Sequence, residues 1–183
     1  MPSPPRISFE RTREAFQEME TAVDLETLQD AWEDFLIYHQ RTWNRCSAYY
    51  KGKPFWGPLE PKYATQRTQD QLLKYVQQAR HADEHGIAPS SQLQSGFSTL
   101  SPGTYTGGTS ISGGGPFVLG AGSTGRVSVH PASVRTQAVV NRGVEYHPPV
   151  LDGISNPPVV KVAQEALKFY ESLFSELDLA GGD

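Results

Sequence analysis

The chain has 183 residues, a formal net charge of −4 and a single cysteine. That length suits one domain, the lone cysteine excludes an intramolecular disulfide bond, and the net charge argues against a protein that coats nucleic acid with its whole surface. The first residues lack the apolar stretch of a secretory signal, and no apolar run reaches the roughly 18–20 residues that span a bilayer, so a cytoplasmic protein without a membrane partner is predicted.

Charge is distributed unevenly along the chain. Residues 1–40 carry three basic and nine acidic side chains, whereas residues 41–80 carry eight basic and two acidic ones. Such a basic block inside an acidic protein can attract an anionic partner. It can equally be a solvated face that pairs with the acidic N-terminal segment, and the sequence leaves both interpretations open.

The first third of the chain predicts two helices and a loop. One helix is expected to start after Ser8 as its N-cap and to end near residue 22. Asp24 is expected to cap a second helix, in which apolar side chains recur every three or four residues as far as Tyr50. Residues 52–67 contain three prolines and two glycines, and this composition predicts a loop that aromatic side chains pin to the core.

The rest of the chain predicts a third helix, a β-rich insertion and a final helix. The third helix is expected over residues 68–85, ending at Gly86. Asn156 is expected to cap the last helix, with Pro157 at its first position. Between them, short β-type runs lie among glycines, serines and threonines, although residues 101–115 also suit a disordered linker. The predicted strands cover residues 97–100, 104–111, 116–119, 126–130, 133–140 and 143–146.

These elements together predict an α+β fold. Four amphipathic helices, none of them apolar on all sides, can bury their stripes by packing against one another. We therefore expect a helical core resembling a four-helix bundle, formed by residues 9–86 and 156–178. The Gly-rich β insertion, residues 87–155, lies between the third and C-terminal helices, and residues 1–183 form a single domain.

The richest chemistry is in the segment RHADEH, residues 80–85, at the end of the third predicted helix. A helix C-terminus favours the cationic form of histidine. An imidazole that titrates near neutrality can take the proton of a ribose 2′-hydroxyl, and a guanidinium can hold the charge of the resulting phosphorane. The segment therefore predicts cleavage of a phosphodiester without a metal or cofactor.

Arg80 and His85, with polar His81 directly after the arginine, resemble the R-x4-6-H motif of HEPN (higher eukaryotes and prokaryotes nucleotide-binding) domains. The resemblance implies a helical, homodimeric, metal-independent endoribonuclease, of a kind found as toxins and defence effectors. It implies Arg80 as the group that stabilises the transition state, His85 as general base or acid, and His81 as a supporting residue. RNA and a cognate antitoxin protein are the implied partners.

In that interpretation the basic block holds the RNA backbone. The side chains expected to do so are Arg41, Arg45, Lys51 and Lys53. Contacts of this kind release counterions from the phosphates, so we expect binding to weaken steeply with salt.

Two other functions fit the same sequence. His81-x-x-Glu84-His85 also matches a zinc protease motif, with Glu145 or Glu165 as a distant third ligand. A non-catalytic interaction or scaffold protein would use the β insertion as its contact surface.

Two further features are given structural interpretations. The glycine pattern of residues 120–125 matches a dinucleotide-binding motif, but a strand is expected after it where that motif needs a helix, so a hairpin turn is predicted. Cys46 lies on the apolar stripe of the second helix and is expected in the core.

Overall fold

The computed structural model describes residues 2–84, 89–100, 127–130 and 132–181. The chain divides into two compact units. Residues 1–93 and 134–183 form a helical unit, and residues 94–133 form a small second unit, here called the β unit after the strands among its described residues. The predicted insertion is thus shared between the two units, since residues 134–155 belong to the helical one. Whether the chain acts as a single domain stays a prediction.

The described residues contain five helices and six short strands, which confirms the α+β class with a helical core. The helices are α1 (Pro4–Thr21), α2 (Leu25–Tyr50), α3 (Trp56–Gln69), α4 (Gln71–Glu84) and α5 (Val159–Leu179). The strands are β1 (Ser91–Gln94), β2 (Phe97–Leu100), β3 (Val127–His130), β4 (Ser133–Thr136), β5 (Val139–Asn141) and β6 (Val144–Tyr146).

The strands form three separate pairs. β1 pairs with β4, β2 with β3, and β5 with β6. The β2–β3 pair lies in the β unit and is antiparallel, with Phe97 opposite His130. The strands predicted at 104–111 and 116–119, the glycine pattern at 120–125 and the possible linker at 101–115 lie outside the described residues.

The start of α1 corrects the sequence prediction. The helix begins at Pro4, after Ser3 as N-cap, and not after Ser8. Proline suits this position because the first amides of a helix have no intrahelical acceptor. Ser8, the predicted cap, is buried inside the helix, where its carbonyl accepts a hydrogen bond from the Thr12 hydroxyl at 3.0 Å.

The second helix follows the prediction closely. Asp24 is its N-cap, and the Asp24 carboxylate accepts a hydrogen bond from the Thr27 backbone amide at 2.7 Å. This hydrogen bond lowers the pKa of Asp24, because it stabilises the charged carboxylate. The predicted stripe forms the centre of the core, and Cys46 is fully buried within it as expected.

The largest error concerns residues 52–67, which were predicted as a loop and mostly form α3. Trp56 and Tyr63 lie seven residues apart on one face and are each about 1% exposed. The Tyr63 hydroxyl donates to Glu176 of α5 at 3.0 Å. These tertiary contacts stabilise a helix that contains Pro61, a residue that helix propensity alone would exclude. The bundle therefore has one more helix than was predicted.

Two other helix boundaries differ from the sequence analysis. The helix predicted over 68–85 is α4, and Asp70 caps it by accepting from the Leu73 amide at 3.0 Å. The last helix begins at Val159, not beside Asn156. The reason is that residues just before the helix pair with β4. The Pro157 carbonyl accepts hydrogen bonds from both the amide and the hydroxyl of Thr136, at 3.1 and 3.0 Å.

Helix α5 packs against α2 through aromatic side chains. The Tyr170 hydroxyl donates to the His39 carbonyl at 2.5 Å, and the two rings meet edge to face at 4.7 Å. Arg67 of α3 lies beside them, 6% exposed, donating to Gln40 at 2.7 Å, with its guanidinium 4.7 Å from the Trp43 ring. Among the described helices none is long and apolar enough to cross a membrane.

The buried His39 predicts a loss of stability in mild acid. Burial, assisted by the Arg67 charge, lowers the pKa of His39 from 6.5 to about 3. The folded state thus holds this imidazole neutral, while the unfolded chain takes up its proton below about pH 6.5. The stability that depends on a neutral His39 is fully present above about pH 6.5, and it is lost as the pH falls toward 3. Denaturant titrations at pH 7 and 5 should show a loss of about 2 kcal/mol.

His39→Phe, which has no titratable group at this position, should show little of that loss. His147→Ala is the matched control, because the His147 side chain is 70% exposed. An equal loss in His39→Phe and wild type would show that another group is responsible.

Candidate functional site

Helix α4 presents two different faces. Tyr75, Val76, Ala79 and Ala82 are all buried, with at most 1% exposure, and recur at helical spacing. Lys74, Gln77, Gln78 and His81 recur with the same spacing on another face and are exposed or half-buried. The buried face anchors the helix, since the Tyr75 hydroxyl contacts the carbonyl oxygens of Ser90 and Gln137 at 3.0 and 2.8 Å. The polar face is thereby held in a fixed orientation.

The β5–β6 hairpin lies against α4. Val139 is opposite Tyr146 and Asn141 is opposite Val144, so these four side chains share one face of the ribbon. Asn141 donates a hydrogen bond from Nδ2 to Gln78 Oε1 of α4 at 2.7 Å. Glu145 belongs to the other face of the ribbon, away from this contact.

Together the helix and the hairpin line an open cavity of about 400 Å³, here called the hairpin cavity. This volume lies within the range of small-molecule sites, roughly 300–1,000 Å³. The cavity is lined by Gln77, Gln78, His81, Asn141, Arg142, Val144 and Tyr146. None of these described lining residues is acidic, whereas one is a guanidinium and one an imidazole. The hairpin cavity therefore suits an anionic ligand that carries several hydrogen-bonding groups.

Arg142 has an unusual backbone for an arginine. It is the first residue of the two-residue turn between β5 and β6 and has φ +51°, followed by Gly143 at +76°. Turns with two positive φ values favour asparagine, aspartate and glycine, because a larger side chain is strained there. The corresponding turn at Asp152-Gly153 has such a favoured pair. Within the described residues the Arg142 side chain has no hydrogen bond or ion pair.

Replacing Arg142 should separate stability from binding. Arg142→Asn is expected to stabilise the fold by about 1 kcal/mol, because asparagine tolerates this φ better. The same change removes the cavity's guanidinium, so the RNA binding predicted from the sequence should weaken roughly 10-fold if it uses this cavity. Urea denaturation and filter binding of a single-stranded RNA measure the two effects.

Arg142→Lys is the matched control, since it keeps the charge and gains no backbone advantage. We expect its stability to equal that of the wild type, and any RNA affinity to fall less than in Arg142→Asn. An RNA affinity that is the same in Arg142→Asn and wild type would show that this side chain does not contact RNA.

The predicted catalytic residues have different surroundings. His81 is half-buried and lines the hairpin cavity. Arg80 is also half-buried, but its Nε atom is enclosed by protein atoms and the residue does not line the cavity. Successive helical residues point about 100° apart, which explains the difference. His85 lies outside the described residues.

The four predicted RNA-binding residues form a separate exposed group. Arg41 and Arg45 lie on the C-terminal half of α2, and Lys51 and Lys53 follow it. The α3–α4 segment runs antiparallel to α2. Arg67 is hydrogen-bonded to Gln40, whereas Tyr75, later in the segment, and Trp32, earlier in α2, are both hydrogen-bonded to Ser90. Helix rise then places this group roughly 20–40 Å from His81 along the bundle. A single ligand that contacts both must span this distance.

The zinc alternative depends on residues from three different elements, α4, β6 and α5. Glu145 is on β6, with one carboxylate oxygen 3.8 Å from His147 Nε2, while Glu165 is on α5 and accepts hydrogen bonds from Lys168. His85, the second histidine of that motif, is not described. In the ranges that the structure describes, no group of three or more His, Cys, Asp or Glu residues is arranged to hold a metal ion.

Sequence reasoning did not identify the hairpin side of the cavity. The strands were expected near these positions, but Asn141, Arg142 and Tyr146 were assigned no function. One signal was present in the segment VVNRGVEY: β-favouring residues on both sides of a two-residue Arg-Gly turn, with arginine where asparagine or glycine is usual. Its position against α4 could not be read from the sequence.

Comparisons with protein-family models, with curated proteins and with solved structures find no match for this chain. The resemblance to HEPN domains therefore depends on the residues of segment 80–85 alone and stays a prediction.

Proposed function

We propose that this chain is a metal-independent endoribonuclease of the HEPN type, and that the hairpin cavity holds the RNA where it is cut. The observation that supports this most is the convergence of His81 and Arg142 on a polar cavity without acidic lining residues. A phosphodiester needs a cationic group for its charge and a titratable group for its proton, and these two side chains supply both.

The proposed reaction is an internal transesterification. His81 takes the proton of the ribose 2′-hydroxyl, whose oxygen forms a bond to the adjacent phosphorus. The bond between phosphorus and the 5′-oxygen breaks, and that oxygen receives a proton from a second acid, the role that the motif gives to His85. Arg142 in the cavity, with Arg80 by the resemblance, stabilises the charge of the phosphorane. The products are a 2′,3′-cyclic phosphate and a 5′-hydroxyl.

The proposal extends to partners and location. The exposed group of Arg41, Arg45, Lys51 and Lys53 would hold the RNA backbone beyond the cavity. The HEPN resemblance adds a homodimer and a cognate antitoxin protein. A cytoplasmic location follows from the single cysteine and the RNA substrate.

The test is incubation of a 5′-labelled pool of single-stranded RNA with the wild-type protein in excess EDTA. We expect products that end in a 2′,3′-cyclic phosphate, with less cleavage as salt rises because the RNA dissociates. The same sequences with 2′-deoxyribose throughout should resist, since the attacking hydroxyl is missing.

Cleavage of the deoxyribose strands would contradict the proposed attack. RNA that stays intact with a folded protein, across a pool of random sequence, would instead favour the non-catalytic interaction protein.

A further inference from the structure

Tyr146 presents an aromatic surface at the wall of the hairpin cavity. Its ring is half-buried and packs against the edge of the core. The Lys74 ammonium lies 5.6 Å from the ring centroid, and Lys74 is not among the cavity's lining residues. One face of the ring is thus engaged by a cation from outside the cavity. Aromatic side chains are common platforms on which nucleic-acid bases stack.

A pair of amides lies on the same wall. The hydrogen bond from Asn141 Nδ2 to Gln78 Oε1 uses one donor and one acceptor of the pair. The remaining side-chain atoms, Asn141 Oδ1 and Gln78 Nε2, have no hydrogen-bond partner in the described part of the chain. One acceptor and one donor of this pair are therefore left unused, and the hydrogen bond between the two residues holds both side chains in place. This pattern complements a base edge with an amino group next to a ring nitrogen.

We propose that the hairpin cavity contains a nucleobase subsite, in which a base stacks on Tyr146 and its edge pairs with Asn141 and Gln78. Arg142, at the turn, then binds the phosphate attached to that nucleoside. The inference is built on the proposed function, because it assigns the substrate's base to the same cavity. It adds that the protein recognises a nucleotide through its base, and not through its backbone charge alone.

Binding of two small ligands isolates the base. Adenosine 5′-monophosphate and ribose 5-phosphate share the sugar and phosphate, and only the first has a base. We expect calorimetry to show adenosine 5′-monophosphate binding to the wild type roughly 10-fold more tightly or better. In Tyr146→Leu the ratio of the two affinities should fall several-fold, because only the amide pair still contacts the base. In Tyr146→Phe, which keeps the ring, it should be preserved.

Tyr49→Leu is the matched control, since Tyr49 is another partly exposed tyrosine and lies on α2. It should keep the wild-type ratio, and circular dichroism checks that each variant is folded. Asn141→Ala with Gln78→Ala should reduce the ratio while leaving ribose 5-phosphate binding unchanged.

The ligand-binding test and the RNA-cleavage test can give a negative result independently of each other. Equal affinity for the two ligands, or a ratio that survives Tyr146→Leu, overturns the subsite even if RNA is cleaved. A base-dependent ratio without RNA cleavage supports the subsite and shows that the nuclease proposal is wrong. Absence of binding by both ligands overturns the subsite.

Discussion

His81→Ala is expected to reduce the rate of RNA cleavage by roughly 100-fold to 10,000-fold, the usual contribution of a general acid or base. His81 is the described imidazole that lines the hairpin cavity, whereas the nearby Arg80 has its Nε atom enclosed. Single-turnover cleavage of a defined RNA in excess EDTA measures the effect. A parallel RNA-binding assay should show a much smaller change, because the charge of Arg142 remains.

The matched control is His147→Ala, which removes an exposed imidazole outside the cavity. Its cleavage rate should equal that of the wild type. Arg80→Ala and His85→Ala complete the set, since the HEPN motif assigns the chemistry to them. Full activity in His81→Ala, with activity lost in the other two, would return His81 to the supporting role that the motif implies.

Trp32→Ala should cause the largest loss of stability, about 3–5 kcal/mol in the free energy of unfolding. Trp32 is fully buried on α2, its ring stacks on Phe35 with centroids 5.9 Å apart, and its Nε1 atom donates to the Ser90 hydroxyl at 2.9 Å. The substitution leaves a cavity and removes this hydrogen bond. Because domains have only roughly 5–15 kcal/mol in total, much of the protein should unfold at modest urea concentrations.

Two variants separate the causes of that loss. Trp32→Phe keeps an aromatic ring and removes the donor to Ser90, so its stability should lie between those of Trp32→Ala and the wild type. Tyr49→Ala, on the exposed side of the same helix, should change stability by less than about 1 kcal/mol. If Trp32→Ala unfolds at the same urea concentration as Tyr49→Ala, the assignment of Trp32 to the core is wrong.

Local sequence signals predicted the helices where the physical cause is itself local. Asp24 caps α2 through a hydrogen bond to an amide three residues on, and periodic burial marks the core face of α2 and α5. The same reasoning failed at α3. There the prolines and glycines favour a loop, and burial of Trp56 against α2 and of Tyr63 against α5 decides the conformation.

The candidate site divides in a similar way. The chemistry of segment 80–85 is visible in the sequence, and His81 lines a cavity. Arg142 and Tyr146 lie about 60 residues further along, and their relevance depends on the β5–β6 hairpin packing against α4. No short-range pattern encodes that contact, although the turn that presents Arg142 is recognisable.

By itself the sequence determined the α+β class, the capped start of α2, the buried position of Cys46 and a polar helix end that carries an arginine and histidines. The reason is that capping, periodicity and composition act within a few residues. Only the tertiary structure decided that residues 56–69 are helical, that residues 134–155 belong with the helices, and that His81 lines the hairpin cavity while the adjacent Arg80 does not. Those outcomes depend on contacts between residues far apart in the chain, whose free energy exceeds the local preferences they override.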